Sequence, residues 1–135
     1  MTSDPLTAVI LAGGKSRRMG QDKAFLPFGS TSLIEWITAR LRRLTDQLLL
    51  ITNTPERYAF LQIPLSPDLL PGKGSLGGIY TGLQRAQTEQ VVFVACDMPF
   101  VHIDFLRYLQ QEASGFEVVI PRSAEGFQPL CALYT

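Results

Sequence analysis

Leu6-Thr7-Ala8-Val9-Ile10-Leu11-Ala12-Gly13-Gly14 is a nearly continuous apolar run cut off by two glycines. An apolar segment this short, with no polar alternation, reads as a strand buried on both faces, as in a parallel sheet. The pattern recurs at Leu48-Leu49-Leu50-Ile51-Thr52, which ends at Asn53-Thr54-Pro55, and most strongly at Val91-Val92-Phe93-Val94-Ala95-Cys96, which ends at Asp97-Met98-Pro99. Between the first two runs, Leu33, Ile34, Ile37, Leu41 and Leu44 repeat at three- and four-residue spacing, with Arg40, Arg42 and Arg43 mostly on other faces. That spacing predicts an amphipathic helix, with Ser30, Thr31 or Ser32 available as its cap.

Thr54 is placed to cap a short helix with Pro55 at its first position. Ile63 to Ser66 suggests a brief edge strand, and Asp68 to Gly78 a loop holding Gly72, Gly74, Gly77 and Gly78. Helices are expected over Leu76 to Ala86 and Ile103 to Glu112. Val118-Val119-Ile120 reads as a strand broken by Pro121, and a last element begins near Leu130 and runs to Tyr134. Strand and helix in alternation predict one α/β domain over residues 1–135, a three-layer fold with a mostly parallel sheet and right-handed crossovers. In such sheets ligands bind outside the carboxyl ends of the strands. Gly13-Gly14, Asn53 and Asp97 each follow a strand, so all three are expected on one rim.

At 46% hydrophobic and 18% charged residues, the chain has the apolar material for a core and is not a disordered polymer. Twelve Lys and Arg balance twelve Asp and Glu, which argues against non-specific nucleic-acid binding. Cys96 and Cys131 sit in apolar runs, and with His102 as the single histidine they make no zinc set. They read as buried reduced thiols, which fits a reducing compartment. Met1-Thr2-Ser3-Asp4-Pro5 has no basic region followed by a long apolar stretch, so no signal peptide is expected. No apolar run approaches the roughly 20 residues of a membrane span. The expected location is the cytoplasm.

The stretch Leu-Ala-Gly-Gly-Lys-Ser-Arg-Arg-Met-Gly-Gln-Asp-Lys, from Leu11 to Lys23, combines glycines with Lys15, Arg17, Arg18 and Lys23. Glycines admit close approach of the main chain to a ligand, and successive N–H groups form an anion-binding concavity. A triphosphate needs such donors together with charged side chains. Gly14-Lys15-Ser16 resembles the end of a Walker A loop, but position 9 is Val9 where that loop needs glycine, and G-x-G-x-x-G fails as well. The competing reading is a solvated basic loop. Asp97 suits either a Mg²⁺ ligand, since that hard cation takes oxygen donors and keeps phosphates as co-ligands, or a helix cap. Asp68 suits a turn as well as a ligand contact, Asn53 a turn cap as well as a ligand contact, and Lys73 a solvated loop. Tyr58, Tyr80 and Trp36 read as packing residues. A single histidine leaves no credible Ser/His/Asp or Cys/His nucleophile.

Taken together, four segments resemble the molybdenum cofactor guanylyltransferase family, within the nucleotidyltransferases of Rossmann-like, nucleotide-diphospho-sugar transferase type. They are Leu11-Ala12-Gly13-Gly14-x-Ser16-x-Arg18-Met19-Gly20-x-Asp22-Lys23; Thr52-Asn53-x-Pro55-Glu56-x-Tyr58; Asp68 with Gly72-Lys73-Gly74-Ser75-Leu76-Gly77-Gly78-Ile79; and Cys96-Asp97-Met98-Pro99-Phe100. The resemblance runs from about Val9 to the last residue. It implies that the main chain at Leu11, Ala12 and Gly13, with Gly14 and Lys15 beside it, contacts GTP. It also implies that Lys23 binds the phosphates, that Asn53 and Asp68 contact the nucleotide, and that Asp97 holds Mg²⁺. The double glycine with Asp22-Lys23 looks more like the guanylyl branch than the cytidylyl branch, whose loop tends to read Leu-Ala-Ala-Gly. Members of the family usually continue past the strand near Leu130. The chain is therefore expected to lack their C-terminal portion, including an asparagine-bearing segment on the pterin side of the site.

The implied reaction moves GMP from GTP to molybdenum-molybdopterin and releases pyrophosphate. Lys23, Asp97 and Arg18 carry the chemistry, with Lys15 as a helper. Molybdoenzymes and other cofactor-synthesis proteins are conceivable partners; nucleic acid and membrane are not expected. Two alternatives stand beside it: a nucleotidyltransferase for another phosphorylated acceptor, such as a sugar 1-phosphate or a cytidylyl-branch substrate, and a truncated domain that binds nucleotide without turnover.

Overall fold

The computed structural model describes residues 5–12, 27–28, 31–70, 75–95, 103–112, 118–119, 122–123, 126–127 and 131–134. Its elements in chain order are β1 (Leu6–Leu11), β2 (Pro27–Phe28), β3 (Thr31–Ser32), α1 (Leu33–Leu41), β4 (Gln47–Ile51), two 3₁₀ turns (Pro55–Arg57 and Ala59–Leu61), β5 (Leu65–Ser66), α2 (Ser75–Arg85), β6 (Gln90–Ala95), α3 (Ile103–Glu112), β7 (Val118–Val119), β8 (Arg122–Ser123), β9 (Gly126–Phe127) and β10 (Cys131–Tyr134). Six strands form one sheet in the order β5-β4-β1-β6-β10-β7. Strands β5, β4, β1 and β6 run parallel, and β10 lies antiparallel to both β6 and β7. The sheet is mostly parallel, as expected, and the reversed β10 sits inside it. β2–β3 and β8–β9 are two-residue antiparallel pairs outside this sheet.

The apolar runs of β1, β4 and β6 split between two cores by strict alternation, as the pleat requires. Leu6, Ala8, Ile10, Leu48, Leu50, Val92 and Val94 pack with Leu33, Ile34, Ile37 and Leu41 of α1 and with Leu106 and Leu109 of α3. Val9, Leu49, Ile51, Val91 and Phe93 point the other way, against Ile79 and Ala86 on the α2 side. Helices thus cover both faces, which is why these strands carry no polar stripe. Tyr58 is fully buried in the first core with Trp36 half-buried beside it, whereas Tyr80 lies exposed on α2.

Among the three candidate caps for α1, Ser32 holds the position. The Glu35 N–H donates to Ser32 Oγ at 3.4 Å, and the Ser32 N–H donates to Glu35 Oε1 at 3.2 Å. This reciprocal pair satisfies two N-terminal donors that the helix itself cannot. Ser32→Ala should cost about 1 kcal/mol of stability, read as a lowered urea midpoint with an unchanged slope. The helix stops at Leu41, before Leu44. Thr45 closes it by accepting from the Gln47 N–H at 3.1 Å and donating to the Leu6 carbonyl at 2.7 Å, which ties the helix exit to the start of β1.

The expected Thr54 cap is not formed. Thr54 precedes the 3₁₀ turn with Pro55 at its first position, but its hydroxyl makes no capping bond and lies 3.4 Å from Thr52 Oγ1. Thr52 takes the local role instead, accepting from the Thr54 N–H at 3.1 Å. Gly77 and Gly78 lie in the first turns of α2, as the helix expected from Leu76 has them, and the helix begins one residue earlier, at Ser75; Gly72 and Gly74 lie outside the described residues.

Candidate active site

Parallel register brings the strand ends level. Leu11 is opposite Ile51 on one side and Ala95 on the other, and Ile51 is opposite Ser66. The ladder continues one step further, with the Ala12 N–H donating to the Ile51 carbonyl at 3.0 Å and the Thr52 N–H to the Ser66 carbonyl at 2.9 Å. Four chain segments therefore reach the same carboxyl rim at Ala12, Thr52, Pro67 and Ala95. This is where an open α/β sheet binds its ligands.

Of the expected site residues, Leu11, Ala12, Asn53 and Asp68 are described, and all four lie at this rim. Leu11 ends β1 with its side chain half-buried, packed so that a Cβ on Gly78 would come 2.8 Å from Leu11 Cδ2. Ala12 is buried, and its N–H is already committed to Ile51, so any ligand contact by this residue falls to its carbonyl. Asn53 is exposed on the turn that Thr52 organises. Gly13, Gly14, Lys15, Arg18, Lys23 and Asp97 lie outside the described residues, as does Lys73. In sequence, Gly13 directly follows Ala12, and Asp97 comes two residues after Ala95.

Asp68 is half-buried and has defined partners. Its Oδ1 accepts from the Leu70 N–H at 2.8 Å, an Asx turn, and lies 3.2 Å from the Thr81 hydroxyl. Thr81, fully buried on α2, accepts from the Leu69 N–H at 2.8 Å and lies 2.8 Å from the Gly77 carbonyl. The turn reading of Asp68 is thus met, with the carboxylate standing at the rim. The carboxylate rests directly on Gly77: a Cβ there would meet both carboxylate oxygens at 2.9 Å and the Leu70 carbonyl at 2.6 Å. The carbonyl is backbone and cannot swing aside. Gly77→Ala should therefore cost about 1–3 kcal/mol through forced displacement of the 68–70 turn, measured by chemical unfolding. Sequence reasoning missed Thr81. A threonine inside an amphipathic helix gives no sequence signal of such a role until its partner turn is known.

Among the described residues, no group of three or more His, Cys, Asp and Glu is arranged to hold a metal ion. Asp68 already spends Oδ1 on the chain, and Asp97, the residue expected to hold Mg²⁺, lies outside the described residues. Among the described residues, no helix is long and apolar enough to cross a membrane.

Comparison with known proteins agrees with this architecture. The chain is 43% identical over 129 residues to a protein of Carboxydothermus hydrogenoformans named "Probable molybdenum cofactor guanylyltransferase", covering 96% of this chain and 65% of that protein. It is 41% identical over 131 residues to the molybdenum cofactor guanylyltransferase of Syntrophotalea carbinolica, covering 96% and 62% respectively. The chain thus spans a little under two thirds of the length of these curated relatives. Among solved structures, molybdopterin-guanine dinucleotide biosynthesis protein A from Archaeoglobus fulgidus superposes with a TM-score of 0.78 at 28% identity, over 96% of this chain and 67% of that one. The profile of the MobA-like NTP transferase domain matches residues 8–135, with its first residues in β1 and the level strand ends inside it. By that match, the chain belongs to the MobA-like NTP transferase domain family.

Proposed function

We propose that the protein binds GTP with Mg²⁺ at the carboxyl rim and transfers GMP to molybdenum-molybdopterin, forming molybdopterin guanine dinucleotide. The observation that carries this reading is the level ending of β1, β4, β5 and β6, which leads the segments before Gly13, Asn53, Asp68 and Asp97 to one edge of the sheet. The names of the relatives at 41–43% identity support the guanylyl branch.

In the proposed reaction, a terminal phosphate oxygen of molybdopterin attacks the α-phosphorus of GTP. The bond from that phosphorus to the β-phosphate bridging oxygen breaks, and pyrophosphate leaves with the electron pair. Chemistry of this kind needs positioning and charge neutralisation more than a protein nucleophile. Lys23, assisted by Lys15 and Arg18, neutralises the charge that grows on the leaving pyrophosphate. Gly13 and Gly14 keep the main chain close to the phosphates, while the Ala12 carbonyl, Asn53 and Asp68 hold the nucleoside. Asp97 would hold Mg²⁺, which when bound would supply positive charge to the phosphates. Pyrophosphate release in the presence of GTP, Mg²⁺ and molybdopterin tests the reading. Release that depends on all three is expected, and release with a sugar 1-phosphate in place of molybdopterin would overturn the choice of acceptor.

A further inference from the structure

Among the described residues, the Asp68 carboxylate is held by one side chain on another element, Thr81 of α2. The Thr81 hydroxyl touches three groups: it accepts from the Leu69 N–H at 2.8 Å and has its single proton available to the Gly77 carbonyl at 2.8 Å and Asp68 Oδ1 at 3.2 Å. Asp68 Oδ1 is further engaged by the Leu70 N–H at 2.8 Å. Among the described residues, Oδ2 accepts no hydrogen bond. The carboxylate also lies flat against Gly77, at a distance no side chain would permit. An ionised carboxylate is acceptor-only, with about four lone-pair sites on its two oxygens. On Oδ1 one site is taken by the Leu70 N–H and another faces the Thr81 hydroxyl, whose proton is shared with the Gly77 carbonyl; among the described residues, Oδ2 is open to a donor from a ligand.

We infer that Thr81 is a positioning residue for nucleotide binding: it fixes Oδ1 of Asp68 to the chain and thereby presents Oδ2 to a hydrogen-bond donor of the nucleoside. This rests on the proposed binding of GTP at the rim. The phosphates are excluded as the partner because at neutral pH they are acceptors, so the donor belongs to the base or ribose. The geometry also accounts for the residue types. Thr81 sits in a fully buried position on α2. A buried hydroxyl kept in such a place costs free energy unless its bonds are made, and two of its three contacts, the Leu69 N–H and Asp68 Oδ1, lie on the turn that carries Asp68, the third being the Gly77 carbonyl of its own helix.

The test measures GTP affinity by calorimetry in the presence of Mg²⁺, with thermal stability recorded alongside. Thr81→Val keeps the shape and removes the hydroxyl; it is expected to weaken GTP about tenfold, the scale of one hydrogen bond to a charged group. Thr81→Ser retains the hydroxyl and should bind within about twofold of wild type on that scale. In an Asp68→Ala background, Thr81→Val should weaken GTP no further, because the group it positions is gone. A purely structural role predicts a lowered melting temperature with unchanged GTP affinity, and that result overturns the inference while leaving GTP binding intact. If Thr81→Val does not fold, Asp68→Asn decides. Its amide oxygen can serve Leu70 and Thr81 while its NH₂ replaces the free acceptor, so affinity should fall about tenfold, and wild-type affinity overturns the inference. Wild-type protein that binds no GTP defeats the functional reading itself, and the inference with it.

Discussion

Asp97→Ala is expected to lower pyrophosphate release from GTP by about three orders of magnitude, equivalent to about 4 kcal/mol of transition-state stabilisation. The expectation follows from position and charge. Strand β6 lies between β1 and β10 at the centre of the sheet and ends at Ala95, level with the end of β1. The next carboxylate in sequence is Asp97. A triphosphate carries several negative charges into the site, and the proposed reaction adds charge to the leaving pyrophosphate. Basic side chains answer part of that charge. In the proposed reaction a Mg²⁺ held by Asp97 would answer the rest, and the substitution would remove that carboxylate. The substitution lies beyond the buried strand, so the urea unfolding midpoint should stay near that of wild type. Wild-type turnover in Asp97→Ala would refute the metal assignment, and restored turnover at high Mg²⁺ would point to a weakened rather than an absent site.

Phe93→Ala should be the most damaging core substitution, at about 3–5 kcal/mol. Phe93 is fully buried at the middle of β6 and faces α2. Its ring stands edge-on to Tyr134 with centroids 5.1 Å apart, which joins β6 to the reversed strand β10. On the helix side it fills the space left by Gly82, where a Cβ would lie 2.5 Å from Phe93 Cε1 and 3.1 Å from Val9 Cγ1. The ring is therefore enclosed by β1, α2 and β10 together. Removing it opens a cavity that none of these elements can close without breaking its own register. Urea unfolding followed by circular dichroism measures the loss; a cost below about 1 kcal/mol would mean that α2 settles onto the sheet and that Gly82 is not matched to the ring.

The strands that carry the rim were legible because they are buried on both faces. Leu6–Leu11, Gln47–Ile51 and Gln90–Ala95 show near-continuous apolar runs in a chain with few others, and the observed bounds differ from the expected ones by about one residue. The helix expected over Ile103 to Glu112 has those bounds. The direction of β10 was not readable, since side-chain alternation is the same for a strand running either way and only its partner distinguishes the two. The pairs β2–β3 and β8–β9 are two residues long per strand, too short to display a period. At the site, Asn53 and Asp68 were singled out from the sequence, and both stand at the rim. Thr81 was invisible because a threonine inside an amphipathic helix signals nothing until the partner turn is known, 12 or 13 residues away in sequence. The same holds for Thr52, whose hydroxyl takes the role that local rules gave to Thr54.

The central claim is that the basic glycine loop and the carboxylate after β6 serve one triphosphate at one rim. Calorimetric titration of the protein with GTP, CTP, UTP and ATP, each with and without Mg²⁺, tests it most directly. Saturable binding that is tightest for GTP and strengthened by Mg²⁺ is expected. Binding of none of the four, or GTP affinity indifferent to Mg²⁺, would contradict it.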